Sequence, residues 1–261
     1  MTGPGRDELP TCPICGSPMV LRTARSGRSK GTVFWGCERF PACEGTVVAL
    51  GGQGSRREGG PASSRKEPGV WVTWLAGVMS GDVDCHWRPW FLTQHELNKT
   101  NPPSDSLRRR LKQHDQLVQT VSARLSQQRV VVSTEVPLHA TISPPGVKLS
   151  GSVDIAADDG DIVLYECKTG RVRLSDQYQL LIYSYLWQQV YGVRASRLVV
   201  VYPDAEKVVE PLATDFETRL ITTLRGLAGP EPLSRVPGLE CRYCPITRVD
   251  CIERLESQEV P

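Results

Sequence analysis

Gly151-Ser152-Val153-Asp154-Ile155, the turn Asp158-Asp159-Gly160-Asp161 and then Ile162-Val163-Leu164-Tyr165-Glu166-Cys167-Lys168-Thr169-Gly170 read as two strands joined by a tight turn. Side chains two apart on a strand point the same way, so Glu166 and Lys168 share a face. The hairpin can bring Asp154 across from Glu166. Two carboxylates so placed suit a hard cation such as Mg²⁺ or Mn²⁺, and the ammonium beside them suits a hydroxide attacking a phosphodiester. A short acid-and-lysine pattern also occurs by chance as a surface ion pair, so the flanking sequence has to decide between the two.

The chain has 261 residues, 39% of them hydrophobic, enough to bury a sizeable core in one large or two smaller domains. A net charge of +2 excludes nothing by itself. Its distribution is more informative: Arg22, Arg25, Arg28 and Lys30 cluster near the N-terminus, and Arg108, Arg109 and Arg110 form a second run able to neutralise phosphates. No stretch is apolar enough to span a bilayer, and residues 1–10 lack the apolar core of a signal peptide, so a cytoplasmic location without membrane partners is expected. Nine cysteines, mostly in paired clusters, then point to metal ligation over disulfides.

Cys12-Pro13-Ile14-Cys15-Gly16 and Cys37-Glu38-Arg39-Phe40-Pro41-Ala42-Cys43 form two knuckles. Together they supply a closed, structural four-sulfur zinc site of Cys12, Cys15, Cys37 and Cys43. The metal provides folding energy that so short a segment cannot draw from a core. With Pro18-Met19-Val20 and Phe34-Trp35-Gly36-Cys37, residues 10–48 resemble the C-terminal zinc ribbons of type IA DNA topoisomerases, which implies single-stranded DNA binding. Trp35 and Phe40, with Phe34, are candidates to stack on bases while Arg22, Arg25, Arg28 and Lys30 follow the backbone. The competing role for these aromatics is to pack the ribbon's own small core.

Residues 49–69 are rich in Gly, Ser, Arg and Pro and read as a flexible basic linker, with a second module from 70 to 256. Within it, 105–128 is an amphipathic helix whose stripe of Leu107, Leu111, His114, Val118, Val121 and Leu125 buries His114. Residues 130–135 form a strand whose Glu135 reads as structural or as a supporting acid. Helices at 176–191, with Gln179 and Tyr183 one turn apart, and at 215–227 flank a strand at 197–202. The expected fold is α/β, a mixed central sheet flanked by helices as in restriction endonucleases, preceded by the ribbon.

His114, Gly151-x-x-Asp154, Glu166-Cys167-Lys168-Thr169-Gly170 and Gln179-x-x-x-Tyr183, in that order, resemble the PD-(D/E)xK nuclease superfamily. The likeness is to its RecB-like branch, with the iron–sulfur CRISPR-associated exonucleases and the AddB nuclease domain. The resemblance implies that His114, Asp154 and Glu166 ligate the divalent ion, with Cys167 lending its backbone carbonyl. It also implies that Lys168 helps activate water and that Gln179 and Tyr183 steady substrate and metal. Cys241, Cys244 and Cys251 are one ligand short of a four-thiolate site, and Cys85 is the available fourth. Ligand count fits a [4Fe–4S] cluster or a zinc equally. The setting of Cys85 in Cys85-x-Trp87-x-x-Trp90-Phe91 resembles the iron-cluster subgroup and so implies the cluster.

The resulting expectation is a Mg²⁺- or Mn²⁺-dependent deoxyribonuclease, an exonuclease on single-stranded or frayed DNA ends in repair, recombination or defence, working beside a helicase or a CRISPR or recombination partner. The competing class is a DNA-binding adaptor that keeps the fold without cutting and supports a helicase or integrase complex. A site-specific endonuclease would need a base-reading element, and the sequence offers none.

Overall fold

The structure is a computed structural model; it describes residues 11–12, 14–23, 33–43, 45–48, 61–97, 105–128, 130–210 and 215–255. The chain divides into two compact units, Met1–Arg57 and Glu58–Pro261.

The first unit is an antiparallel three-stranded sheet, β1 (Met19–Thr23), β2 (Val33–Cys37) and β3 (Thr46–Val48), in that order. Among the described residues Cys12, Met19 and Cys37 form its buried cluster, with Trp35 and Cys43 packed against them. Gly45 is required beside them, because a Cβ there would stand 2.2 Å from Cys12 Sγ.

The second unit starts earlier than the composition implies. Residues 61–69 belong to it: β4 (Ser63–Ser64) pairs with β6 (His95–Glu96), and β5 (Gly69–Trp71) joins the main sheet. Arg65 donates to the Leu92 carbonyl and pairs with Glu96, while the Ala62 N–H donates to the carboxylate of Asp250. These partners are distant in sequence, so local composition reads residues 61–69 as linker although they are tied into this unit; the rest of the expected linker, 49–60, lies outside the described residues. Helices α1 (Val72–Ser80) and α2 (Trp87–Gln94) precede α3 (Asp105–Gln127). Then come β7 (Val131–Ile142), β8 (Val147–Asp158), β9 (Ile162–Cys167), α4 (Leu174–Tyr191), β10 (Arg197–Val201), β11 (Glu206–Val208) and α5 (Phe216–Ala228).

The main sheet runs β11-β10-β9-β8-β5, with β7 also paired to β8. It is mixed: β9–β10 and β5–β8 are parallel, the other pairs antiparallel. One face carries the larger core, where Leu75, Leu180, Ile182, Leu186, Leu220 and Leu224 from α1, α4 and α5 meet Leu149, Leu164 and Val200. On the other face Val118, Val121 and Leu125 of α3 cover Ile155, Val199 and Val201. The expected mixed sheet flanked by helices is therefore present.

Two departures from a regular sheet create the site. β8 pairs with β5 at residues 148–150 and with β9 only from Ile155 onward, so that edge of Gly151, Ser152, Val153 and Asp154 lies in a fork between them. In addition, strict alternation fails at Asp154: Leu149 and Val153 enter the larger core, yet Ile155 and Ala157 enter the smaller one. The partner strand turns over at the same level, with Val136 and Leu138 on one side and Val132 on the other. Between them Glu135, opposite Asp154 in the register, adopts φ 52°, a left-handed conformation uncommon outside glycine.

Candidate active site

Partners on different helices hold the two central acids. Asp154, nearly buried, accepts a hydrogen bond from the Cys167 N–H at 2.7 Å and lies 3.0 Å from His114 Nε2, which α3 delivers from the second face. Glu166, on the strand beyond the fork, turns to α4. Its Oε1 accepts from Gln179 Nε2 at 2.6 Å and from Lys168 Nζ at 2.9 Å, and Lys168 also donates to Gln179 Oε1 at 2.9 Å. The other oxygen of Glu166 is buried with no hydrogen-bond partner. An acceptor left so is costly unless a cation or water completes it.

Tyr183 stands behind Gln179 and accepts its second, longer contact at 3.4 Å. Its ring occupies the space above Gly151, where a Cβ would lie 2.6 Å from Tyr183 Cε1. That close approach is the local reason for glycine three residues before Asp154. The N-terminus of α4 is fixed by Asp176, whose carboxylate accepts from the Arg173 N–H and from the Tyr202 hydroxyl, and this holds Gln179 one turn further on.

The electrostatics follow from burial among like charges. Burial, with Asp154 nearby, pushes Glu166 up to about 8 against the pull of Lys168. Burial opposes the charge on Lys168, but Glu166 outweighs it and raises the ammonium's pKa. The hydrogen bond to Asp154 raises His114 despite burial, and burial together with Asp154 raises Glu135. Burial also pushes the Cys167 thiol up to about 12. This concentration of acids with one unpartnered oxygen fits a divalent cation, whose charge would restore the carboxylates to their ionised form.

Of the sequence-derived residues, Glu166, Lys168, Gln179 and Tyr183 thus form one hydrogen-bonded set and His114 with Asp154 a second, the Cys167 N–H next to Glu166 donating to Asp154. Two differences stand out. His114 is half-buried, because the stripe on α3 is covered only from Val118 onward while Leu107 and Leu111 are exposed. Glu135 is part of the site: its carboxylate, His114 and Asp154 offer ligand atoms within 4.8 Å of one another. Its identity as an acid on the preceding strand was visible in the sequence, whereas its unusual φ was not.

In the ribbon, the sulfurs of Cys12, Cys15, Cys37 and Cys43 also lie within 4.8 Å of one another, with Cys12–Cys43 at 3.7 Å and Cys15–Cys37 at 3.5 Å. A tetrahedron of zinc–sulfur bonds of about 2.3 Å has edges of about 3.8 Å, so the set fits zinc. Phe40 is exposed and carries the Arg22 guanidinium 5.4 Å from its ring centre, whereas Trp35 is half-buried against the ribbon core. Arg25, Arg28 and Lys30 lie outside the described residues. At the other end of the chain, Cys85, Cys241, Cys244 and Cys251 line one cavity together with Arg88 and Arg254.

Residues 83–249 match the model of the PD-(D/E)XK nuclease superfamily, and residues 10–49 match that of the topoisomerase DNA-binding C4 zinc finger. The crystal structure of SSO0001 is similar over 74% of this chain and 90% of that one, at 22% identity and a TM-score of 0.47. None of the curated proteins compared matches. No helix among the described residues is long and apolar enough to cross a membrane. The family matches support a metal-dependent nuclease carrying a DNA-binding zinc ribbon. With a match that spans most of its length and takes in the whole acid, lysine and glutamine set, this chain belongs to the PD-(D/E)XK nuclease superfamily.

Proposed function

We propose that the protein is a Mg²⁺- or Mn²⁺-dependent deoxyribonuclease that trims single-stranded or frayed DNA ends. The observation that carries the reading is the buried, unpartnered oxygen of Glu166 near Asp154, the other oxygen of Glu166 being satisfied by Lys168 and Gln179. His114, Asp154 and Glu166 would hold the divalent ion with the carbonyl of Cys167, and Glu135 lies close enough to His114 and Asp154 to join them. When bound, such an ion polarises the scissile phosphate and lowers the pKa of water. Lys168 keeps its proton at the ζ nitrogen and is aimed by Glu166 and Gln179, so it can orient the attacking oxygen or offset phosphate charge. Gln179 fixes Glu166, and Tyr183 positions Gln179 from behind. The ribbon raises the local DNA concentration without reading sequence.

Cys85, Cys241, Cys244 and Cys251 would bind a [4Fe–4S] cluster. Four thiols around a single cavity, with arginines to offset the negative charge of a thiolate-bound cluster, support that assignment. Iron analysis and a visible absorption spectrum after anaerobic purification test it, and zinc alone would overturn it.

The test of function is incubation of wild type and Asp154→Ala with end-labelled single-stranded, double-stranded and closed circular DNA, in Mn²⁺ or in EDTA. Wild type is expected to degrade linear DNA only with metal, and Asp154→Ala to lose at least a hundredfold in rate. Absence of metal-dependent cleavage on every substrate would leave an adaptor, and cutting of closed circles would defeat exonuclease action.

A further inference from the structure

The face of α3 that lies on the sheet ends at His114, but the helix does not. From Val118 to Leu125 its stripe is buried, whereas one and two turns before His114 the same stripe carries Leu111 and Leu107, 50% and 39% exposed. Residues 105–113 therefore project past the catalytic centre by about 13 Å at 1.5 Å per residue. Between Leu107 and Gln113 every charged side chain is basic: Arg108, Arg109, Arg110 and Lys112, all exposed. Arg110 sits four residues before His114, hence on the same face, about 6 Å along the axis.

A second stretch of the same make lies across the site in sequence. Three residues after Lys168, the exposed run Arg171-Val172-Arg173-Leu174 again alternates cations with aliphatic side chains that are about half exposed. Exposed aliphatic area interleaved with cations is poorly suited to bulk water. It is well suited to a single nucleic-acid strand, which offers phosphates on one side and flat apolar bases on the other. The same pattern beside the ligand His114 and beside Lys168 makes a protein partner the weaker occupant, since such an occupant would block the substrate.

We propose that the projecting half of α3 is the track along which the strand being cut reaches the metal centre, Arg110 holding a phosphate adjacent to the scissile one and Leu111 lying against a base or sugar. The proposal rests on the nuclease reading and specifies where its substrate runs.

Binding and cleavage separate the two ideas. Affinity for a fluorescein-labelled thymidine 20-mer is measured by anisotropy on the full chain in the Asp154→Ala background, between 50 and 200 mM salt. Adding Arg110→Ala is expected to weaken binding about fivefold and to lower the slope of log K against log salt by about 0.7, the value for one lost single-strand phosphate contact. Adding Leu111→Glu is expected to weaken it further, with Arg225→Ala on α5 as the neutral control. In the active background Arg110→Ala raises KM with kcat retained, and bis(p-nitrophenyl) phosphate, too small to touch the track, is hydrolysed as by wild type. Both side chains are exposed, so unchanged melting temperatures verify the fold. Unchanged affinity and salt slope in both variants overturn the track whatever the enzyme does. A melting temperature that falls while DNA binding holds overturns it too, since the chain itself then covers this face. A wild type inactive on DNA and on the small ester defeats the nuclease reading, while the affinities still judge the track.

Discussion

Among the described residues of the ribbon unit, three of the five that form the apolar cluster are cysteines of the four-sulfur set; in the catalytic unit a continuous core runs from Val70 on β5 to Leu227 on α5, and its candidate ligands sit at a break in the sheet. A zinc on the four sulfurs would fold the first unit. The other is folded by hydrophobic burial, and its metal centre is a local departure from regular structure that the core can carry. The difference also separates the two cysteine sets. The ribbon set lies within 12–43, whereas Cys85 and Cys241 come to one cavity from far apart in the sequence of the second unit.

The largest effect that can sharpen this contrast is removal of zinc. Chelation or Cys37→Ser is expected to unfold the ribbon, whose structural metal is worth on the order of 10 kcal/mol, while the catalytic unit keeps its melting transition. Limited proteolysis with released-zinc titration reads both at once, and joint unfolding would break the comparison. Next is Cys85→Ser. If a cluster cross-links residues 85 and 241, loop-closure reasoning gives a loss of about 5 kcal/mol in the second unit by denaturant unfolding, with ribbon zinc retained. A smaller cost, about 3 kcal/mol, is expected for Leu180→Ala, which opens a cavity in the larger core and leaves the ribbon untouched.

The smallest effect is electrostatic. Glu166 has a folded pKa of about 8, above its ordinary 4.5, so the metal-free folded state binds more protons than the unfolded state between those values. Stability measured in EDTA should therefore be fully present below about pH 4.5 and fall as pH rises through about 8. Glu166→Gln should flatten that slope, and saturating Mg²⁺ should reverse it for wild type. A slope shared by both proteins would mean that the centre imposes no such cost.

The acids, lysine and glutamine were legible because their pattern is short. Strand alternation places Glu166 beside Lys168, and one helical turn separates Gln179 from Tyr183, so local geometry suffices. Glu135 was not assigned to the site because its membership depends on a backbone turnover shared by β7 and β8, and alternation predicts continuity at that point. The stripe on α3 was read as buried throughout, since periodicity reports which face is apolar and says nothing about where the supporting sheet ends. Residues 61–69 looked like linker because their partners, Leu92, Glu96 and Asp250, are remote in sequence.

The hydrogen bond from the Ala62 N–H to the Asp250 carboxylate brings the two ends of the catalytic unit side by side. Neighbouring ends make a unit indifferent to where its chain is opened. A short bridge could join them, new termini could be cut at the exposed Asp158–Gly160 turn, and the ribbon could be grafted after residue 255 to leave from almost the same spot. Domain order would then be free to vary among proteins built on this plan while the point of attachment is kept.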